Sequence, residues 1–398
     1  MKKALSGTRG GRLVAEARGL ADGRLARDLS FTFGARWVQF LLGLAGSVVS
    51  ARALGPADFG RFGLAMATVT IVGTLADAGL TYTATKLIAQ YSEANETRSR
   101  LVARLYLWLR LFSGFAVALL GIILAGPASA LLGQPDLTPV LQLGFCTLFA
   151  LALSSYPGTI LVGLEEFRRL GVAGVANTVI TVAGILALLL AGQLNLWTLV
   201  AWNVALPVLS TLPAWFLLPR EWLPWRVRHR RVTPGGEGQT TGDSGIAREI
   251  WRFSRWMALA NLGTILAVQG DVLLLGRLAT PADVGVYSVA LALALRFDSL
   301  NQSLLLVLLP RASKLRGREA IESYSRRTLR GTLLLAAGLG TAALVGQPLI
   351  YLLYGEDYAA SAWLFLALLA VVLFDLVTSS LFLVALPMNQ PRILAIAD

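Results

Sequence analysis

The sequence has few of the residues that build most catalytic and metal centres. It contains one cysteine, Cys146, and one histidine, His229. A single cysteine excludes an intramolecular disulfide and a thiolate zinc cluster, and a single histidine excludes a multi-histidine metal site. Cys146 lies in an apolar run and reads as a small packing residue; His229 lies in a polar stretch and reads as solvated. Charge is scarce too: 15% of the residues are Asp, Glu, Lys or Arg, against about 25% in a soluble domain. No Gly-x-x-x-x-Gly-Lys-Ser/Thr phosphate cradle occurs, which argues against direct ATP hydrolysis. These absences point away from an enzyme and away from any metal or cofactor.

What the chain does have is apolar length. Over 398 residues, 56% are apolar, and the mean hydropathy is +0.65. A bilayer crossing takes about 20 mostly apolar residues. The runs at 29–51, 61–86, 105–126, 138–163, 171–192, 196–217, 250–275, 285–309, 329–352 and 361–386 predict an all-α, polytopic membrane protein of about ten crossings. Residues 1–28 are polar and basic, and the first apolar run is too long for a cleaved signal peptide, so it reads as a retained helix.

The formal charge of +12 invites a nucleic-acid partner until the positions are read. The basic residues fall in the amino-terminal segment, in 86–110, at Arg168 and Arg169, in 220–255, and from Arg311 to Arg330. The alternate connections hold only Arg52, Arg61 and Arg277. Such a bias orients a membrane protein. It predicts a cytoplasmic amino terminus, and nucleic acid drops out.

The segment 220–248, with Thr233 through Gly245 rich in Gly, Thr and Ser, reads as a cytoplasmic linker. It separates a six-helix lobe, 29–219, from a four-helix lobe, 249–388. The halves carry a common motif. Arg52-Ala-Leu-Gly-Pro-Ala-Asp-Phe-Gly60 matches Arg277-Leu-Ala-Thr-Pro-Ala-Asp-Val-Gly285 at an offset of 225 residues, and Ala65 and Ala67 continue it onto Ala290 and Ala292. Pro and Gly end one helix, and Asp58 and Asp283 are placed to cap the next. The plainer alternative is convergent turn chemistry; the shared position and flanking residues favour a duplication. Since an even number of crossings separates the copies, the two bundles would be related by a parallel repeat, with its axis along the membrane normal. Basic, loosely amphipathic stretches at 89–104 and 311–328 read as lying along the anionic inner leaflet. Trp108, Trp197, Trp202, Trp215, Trp222, Trp225, Trp251 and Trp256 fall near predicted helix ends, as an aromatic belt does.

Further residues carry a resemblance. The first-half turn followed by Gly63-Leu-Ala-Met-Ala and Asp77-Ala-Gly-Leu80 resembles the opening of polysaccharide biosynthesis membrane proteins, which share a superfamily with multidrug and toxic compound extrusion transporters. Asp271-Val-Leu-Leu-Leu-Gly276, Gly285-Val-Tyr-Ser-Val-Ala290, Leu309-Pro-Arg311 and Gly163-Leu-Glu-Glu-Phe-Arg168 are similar as well. The resemblance implies two six-helix lobes around a central cavity. It also implies flipping of undecaprenyl-pyrophosphate-linked oligosaccharide across the inner membrane, with lipids, a polymerase and glycosyltransferases as partners. Residues 389–398 would begin an eleventh helix in that pattern, so the carboxy-terminal pair reads as missing from this chain, which is either a fragment or a shortened paralogue.

Ionisable residues within crossings are costly and usually face a cavity or a partner. Asp77, Arg296, Asp298 and Asp375 fall near mid-helix; Arg36, Lys86, Arg110 and Arg255 fall nearer the inner ends, and Asp271 nearer the outer end. For the substrate that the resemblance implies, Arg36, Lys86, Arg255 and Arg296 are the expected cations. Asp77, Asp271, Asp298 and Asp375 would couple an ion or neutralise those cations. Lys86, Arg110 and Arg255 have snorkelling to the interface as the plainer alternative. Two other functions stand beside flipping. A drug/cation antiporter would want an acidic, aromatic cavity; a non-transporting scaffold of an assembly complex is the alternative that the short carboxy terminus suggests.

Overall fold

Nine helices account for most of the described part of the computed structural model. It describes residues 23–92, 96–223, 243–312, 330, 337–338, 340–341, 348 and 350–385, with side chains from 34 to 92, 96 to 223, 250 to 296 and at the later positions up to 378. The helices are α1 (Gly23–Asp77), α2 (Leu80–Ser92), α3 (Glu96–Leu131), α4 (Thr138–Gly163), α5 (Phe167–Leu190), α6 (Leu196–Leu217), α7 (Asp243–Leu278), α8 (Pro281–Ala312) and α9 (Ser361–Ala385). There is no strand among the described residues. Among the described residues, seven stretches are long and apolar enough to cross a membrane, and one of them, Gly34–Asp77, overlaps two of the expected crossings. The expected crossing at 329–352 falls mostly outside the described residues, as do residues 389–398, the linker core 224–242 with His229, and the basic stretch 313–329.

Local chemistry explains the boundaries. Gly55 bends α1, with φ of 72° and ψ of 170°, where the Gly-Pro pair of the repeated motif was expected to end one crossing and start the next. α6 begins in a capping box: Asn195 accepts from the Thr198 amide at 3.0 Å, and the Thr198 hydroxyl accepts from the Asn195 amide at 3.0 Å. α4 and α6 match the expected limits.

Three expectations change. The second crossing, read as 61–86, stops at Asp77, because Ala78 and Gly79 both take left-handed conformations, at φ of 45° and 70°. Gly79 has a packing reason as well, since a Cβ there would stand 2.7 Å from the Ser254 carbonyl of α7. The second basic stretch lies outside the described residues, but the first, 89–104, is no surface strip. Its later part opens α3, with Ser99, Val102 and Ala103 buried and the Ser99 hydroxyl donating to the Ile88 carbonyl at 3.2 Å. The linker is also narrower than 220–248: Trp222 is buried, its carbonyl accepts from the Tyr156 hydroxyl at 2.8 Å, and α7 has begun by Asp243.

The repeated motif forms the seam between the halves. A Cβ on Gly60 would meet the Pro281 carbonyl at 1.8 Å, and a Cβ on Gly285 would meet the Pro56 carbonyl at 2.0 Å. Pro56 and Gly60 correspond to Pro281 and Gly285 in the repeat, so the contact is reciprocal, as a pseudo-two-fold axis requires. One helix turn further on, Gly63 faces Ser288, its counterpart at the same offset. The two copies cap their helices differently. Asp283 accepts from the Thr280 amide at 3.0 Å and from its hydroxyl at 2.6 Å, bonds that hold its carboxyl below the usual carboxylate range. Asp58 instead pairs with Arg61 at 2.8 Å.

Candidate substrate chamber

α1 is the helix around which the chamber is built. Its first part packs on α5, where Gly46 comes close to Val182 and Ile185. The second half of the chain holds it from the other side. The Tyr358 hydroxyl donates to the Ala51 carbonyl at 2.9 Å, and Arg52 Nη2 donates to the Leu352 carbonyl at 2.6 Å. Arg296 of α8 donates from Nη1 to the Phe40 carbonyl at 2.9 Å and from Nη2 to the Gly43 carbonyl at 2.7 Å. Gly43 permits this approach, since a Cβ there would stand 3.2 Å from Nη1.

Among the cavities that α1 lines, two share walls; a third, apolar one of about 510 Å³ lies between residues 34–38 and 172–176. The larger of the pair that share walls, of about 790 Å³, lies within the first-half helices, and Arg36 and Phe167 are among its walls. The smaller, of about 400 Å³, lies between the halves and contains Arg296 and Ser288. Phe62, Met66, Thr70 and Asn203 line both, which makes them neighbouring parts of one chamber. Helical rise puts Arg36 about 28 Å along α1 from Gly55, close to the thickness of a hydrocarbon core of about 30 Å. The repeated turns press on each other toward one end of α1, and Arg36 is exposed toward the opposite, basic end.

The expected site residues separate into three groups. Arg36 and Arg296 line the chamber. Lys86 and Arg255 line neither cavity: Lys86 Nζ sits 4.0 Å from the Phe253 ring centroid, and the Arg255 guanidinium lies 5.6 Å from that of Trp256. The carboxylates stand away from the cavities as well. Asp77 pairs with Arg110 at 3.2 Å, and Asp271 accepts from the Tyr287 hydroxyl. Asp375 is exposed on α9, and the side chain of Asp298 lies outside the described residues. Arg110 does not snorkel, because it is 8% exposed and faces Asp77. From that pair a polar chain runs through Thr81 to the Tyr106 hydroxyl, at 3.1 Å, and on to Ser155 at 2.9 Å.

Sequence reasoning passed over Gln39, Asn177 and Asn203, which bring neutral polar groups to the larger cavity from three helices, and Thr147 in its wall. The signal was an amide within an apolar crossing, which is weaker than a charge. No carboxylate lines either cavity among the described residues, and no group of acidic, histidine or cysteine side chains there would hold a metal ion.

The sequence profile of the polysaccharide biosynthesis protein family matches residues 25–316. The chain belongs to that family. Among curated proteins, none matches it. Solved structures show the fold of this family member to be that of MOP-superfamily transporters. An inward-facing multidrug resistance MATE transporter of that superfamily is similar at a TM-score of 0.60 and 16% identity, over 93% of this chain and 87% of that one. The eukaryotic MATE transporter AtDTX14 is similar at 0.59 and 16%, over 93% and 84%. A MOP-superfamily transporter from Pyrococcus furiosus, described as having a binding pocket of reversed polarity, is similar at 0.51 and 18%, over 94% and 84%. The protein is a multi-pass membrane protein with a transporter's architecture.

Proposed function

We propose that the protein carries an undecaprenyl-pyrophosphate-linked oligosaccharide across the inner membrane by alternating access, as a transporter and not as an enzyme. The observation that carries this reading is the polarity of the chamber. Its described charged lining is Arg36 and Arg296, with no carboxylate, inside a member of the polysaccharide biosynthesis family. An anionic head group fits such a lining. A cationic drug, the cargo of the antiporter alternative, would be repelled.

The basic residues orient the chain with Arg36 toward the cytoplasm. In that orientation the seam at Gly60 and Gly285 closes the outer side, and the chamber faces the leaflet on which the lipid-linked sugar is assembled by glycosyltransferases. Arg36 meets the pyrophosphate in a charge-assisted contact, and Lys86 and Arg255 hold positive potential at the approach. The inside-negative membrane potential then assists the passage. Each negative charge moved outward gains about 2.3 kcal/mol per 100 mV, so the head group is driven toward the polymerase side while the protein's own cations stay in place.

Replacing both Arg36 and Arg255 with Ala tests this in cells that depend on the protein for surface polysaccharide. Losing the charge-assisted contact at Arg36 and the positive charge of Arg255 at the approach is expected to lower export about tenfold or more, with the protein still present in the membrane. Undiminished export by the double variant would overturn the reading. Transport by the reconstituted 398-residue chain separates it from the scaffold alternative.

A further inference from the structure

We propose that the cavity within the first-half helices is a sugar subsite, which takes the glycan of the substrate while Arg36 at its wall takes the pyrophosphate; this rests on the transport reading above. The cavity's volume, about 790 Å³, falls in the range of small-molecule sites. Its chemistry is that of a neutral polyhydroxylated ligand. Amides reach it from three helices: Gln39 from α1, Asn177 from α5 and Asn203 from α6. An amide both donates and accepts, and so does a sugar hydroxyl, so each can satisfy the other without charge. Asn203 donates one N–H to the Leu199 carbonyl at 2.9 Å, which leaves a second N–H and the carbonyl oxygen for a ligand.

Thr147, on a fourth helix, also lines the cavity, though its hydroxyl oxygen is itself buried away from the open space and has no hydrogen-bond partner among the described residues. Glycines keep the space open. A Cβ on Gly158 would meet nothing within 4 Å, and Gly174 leaves room for the Gln39 amide, whose Nε2 would stand 2.8 Å from a Cβ there. Phe62 and Phe167 supply apolar walls against which the C–H faces of a pyranose can lie. Since Asn203 also lines the smaller cavity, a glycan longer than one unit has room to extend toward Ser288 between the halves.

The test measures equilibrium binding of two defined probes to the full chain in nanodiscs: undecaprenyl pyrophosphate, and the same lipid bearing one N-acetylglucosamine. The unsubstituted protein is expected to bind the sugar-bearing probe about tenfold more tightly. Asn203→Leu and Asn177→Leu, which keep side-chain size and remove hydrogen bonding, are expected to erase that difference and leave the bare lipid's affinity unchanged. Gln39→Met provides the same readout from a different helix, and retained binding of the bare lipid shows that each variant is folded. Equal affinity of the unsubstituted protein for both probes overturns the sugar subsite, and so does a parallel loss of both probes in all three variants. Binding of neither probe by the unsubstituted protein overturns the transport reading itself.

Discussion

A charged side chain in a membrane helix is informative only once its neighbour is known, and Asp77 and Arg110 show why. Arg110 is 8% exposed, and its Nε lies 3.2 Å from Asp77, an ion pair in which neither Nε nor Nη1 makes an aligned hydrogen bond. Removing one member strands the other charge, a loss of about 3–5 kcal/mol for a buried pair. Arg110→Ala is therefore expected to lower the temperature of thermal aggregation in detergent, and Asp77→Asn combined with Arg110→Met to restore most of it. If the single and double variants melt alike, the pair is not what matters there. The sequence supplied both residues as intramembrane charges, but they lie 33 positions apart on different helices, and nothing in a linear pattern joins them.

At the scale of elements, the chain is legible wherever a boundary has local chemistry. The Asn195–Thr198 capping box starts α6 where expected, and Gly55-Pro56 bends α1 where the motif predicts. The break at Ala78–Gly79 was not foreseen, because its cause is partly a contact with the Ser254 carbonyl of a helix far along the chain. The paired turns allow a sharper test. Cβ atoms at Gly60 and Gly285 would lie 1.8 and 2.0 Å from opposing carbonyls, far inside contact distance. Gly60→Ala and Gly285→Ala are each expected to part the seam. A cysteine pair placed at Gly63 and Ser288 in a Cys146→Ser background should cross-link readily in the otherwise unsubstituted chain and several-fold less in either alanine variant. Equal cross-linking would mean that the seam absorbs the methyl group without opening.

For the whole molecule, the question is what holds the halves in this arrangement. Besides the seam, the two donations from Arg296 to the Phe40 and Gly43 carbonyls tie α8 to α1 at the wall of the chamber. An anion entering the chamber would compete with those carbonyls for the guanidinium, which couples occupancy to the freedom of α1. Arg296→Met is expected to loosen α1. A single cysteine at Ser47, which lines the smaller cavity, should then react several-fold faster with a membrane-impermeant maleimide in the Cys146→Ser background. An unchanged rate would place the hold elsewhere.

The sequence by itself determined that this is an all-helical membrane protein with a repeated turn, because hydropathy, basic-residue spacing and turn chemistry are local and additive along a chain. It also marked Arg36 and Arg296 as charges in need of a setting. Only the tertiary structure decided that those two face a chamber while Asp77 and Asp271 turn to Arg110 and Tyr287, and that amides rather than carboxylates line the space. The reason is geometric: a helix has one periodicity but several neighbours, and which face meets which neighbour depends on contacts between residues tens to hundreds of positions apart.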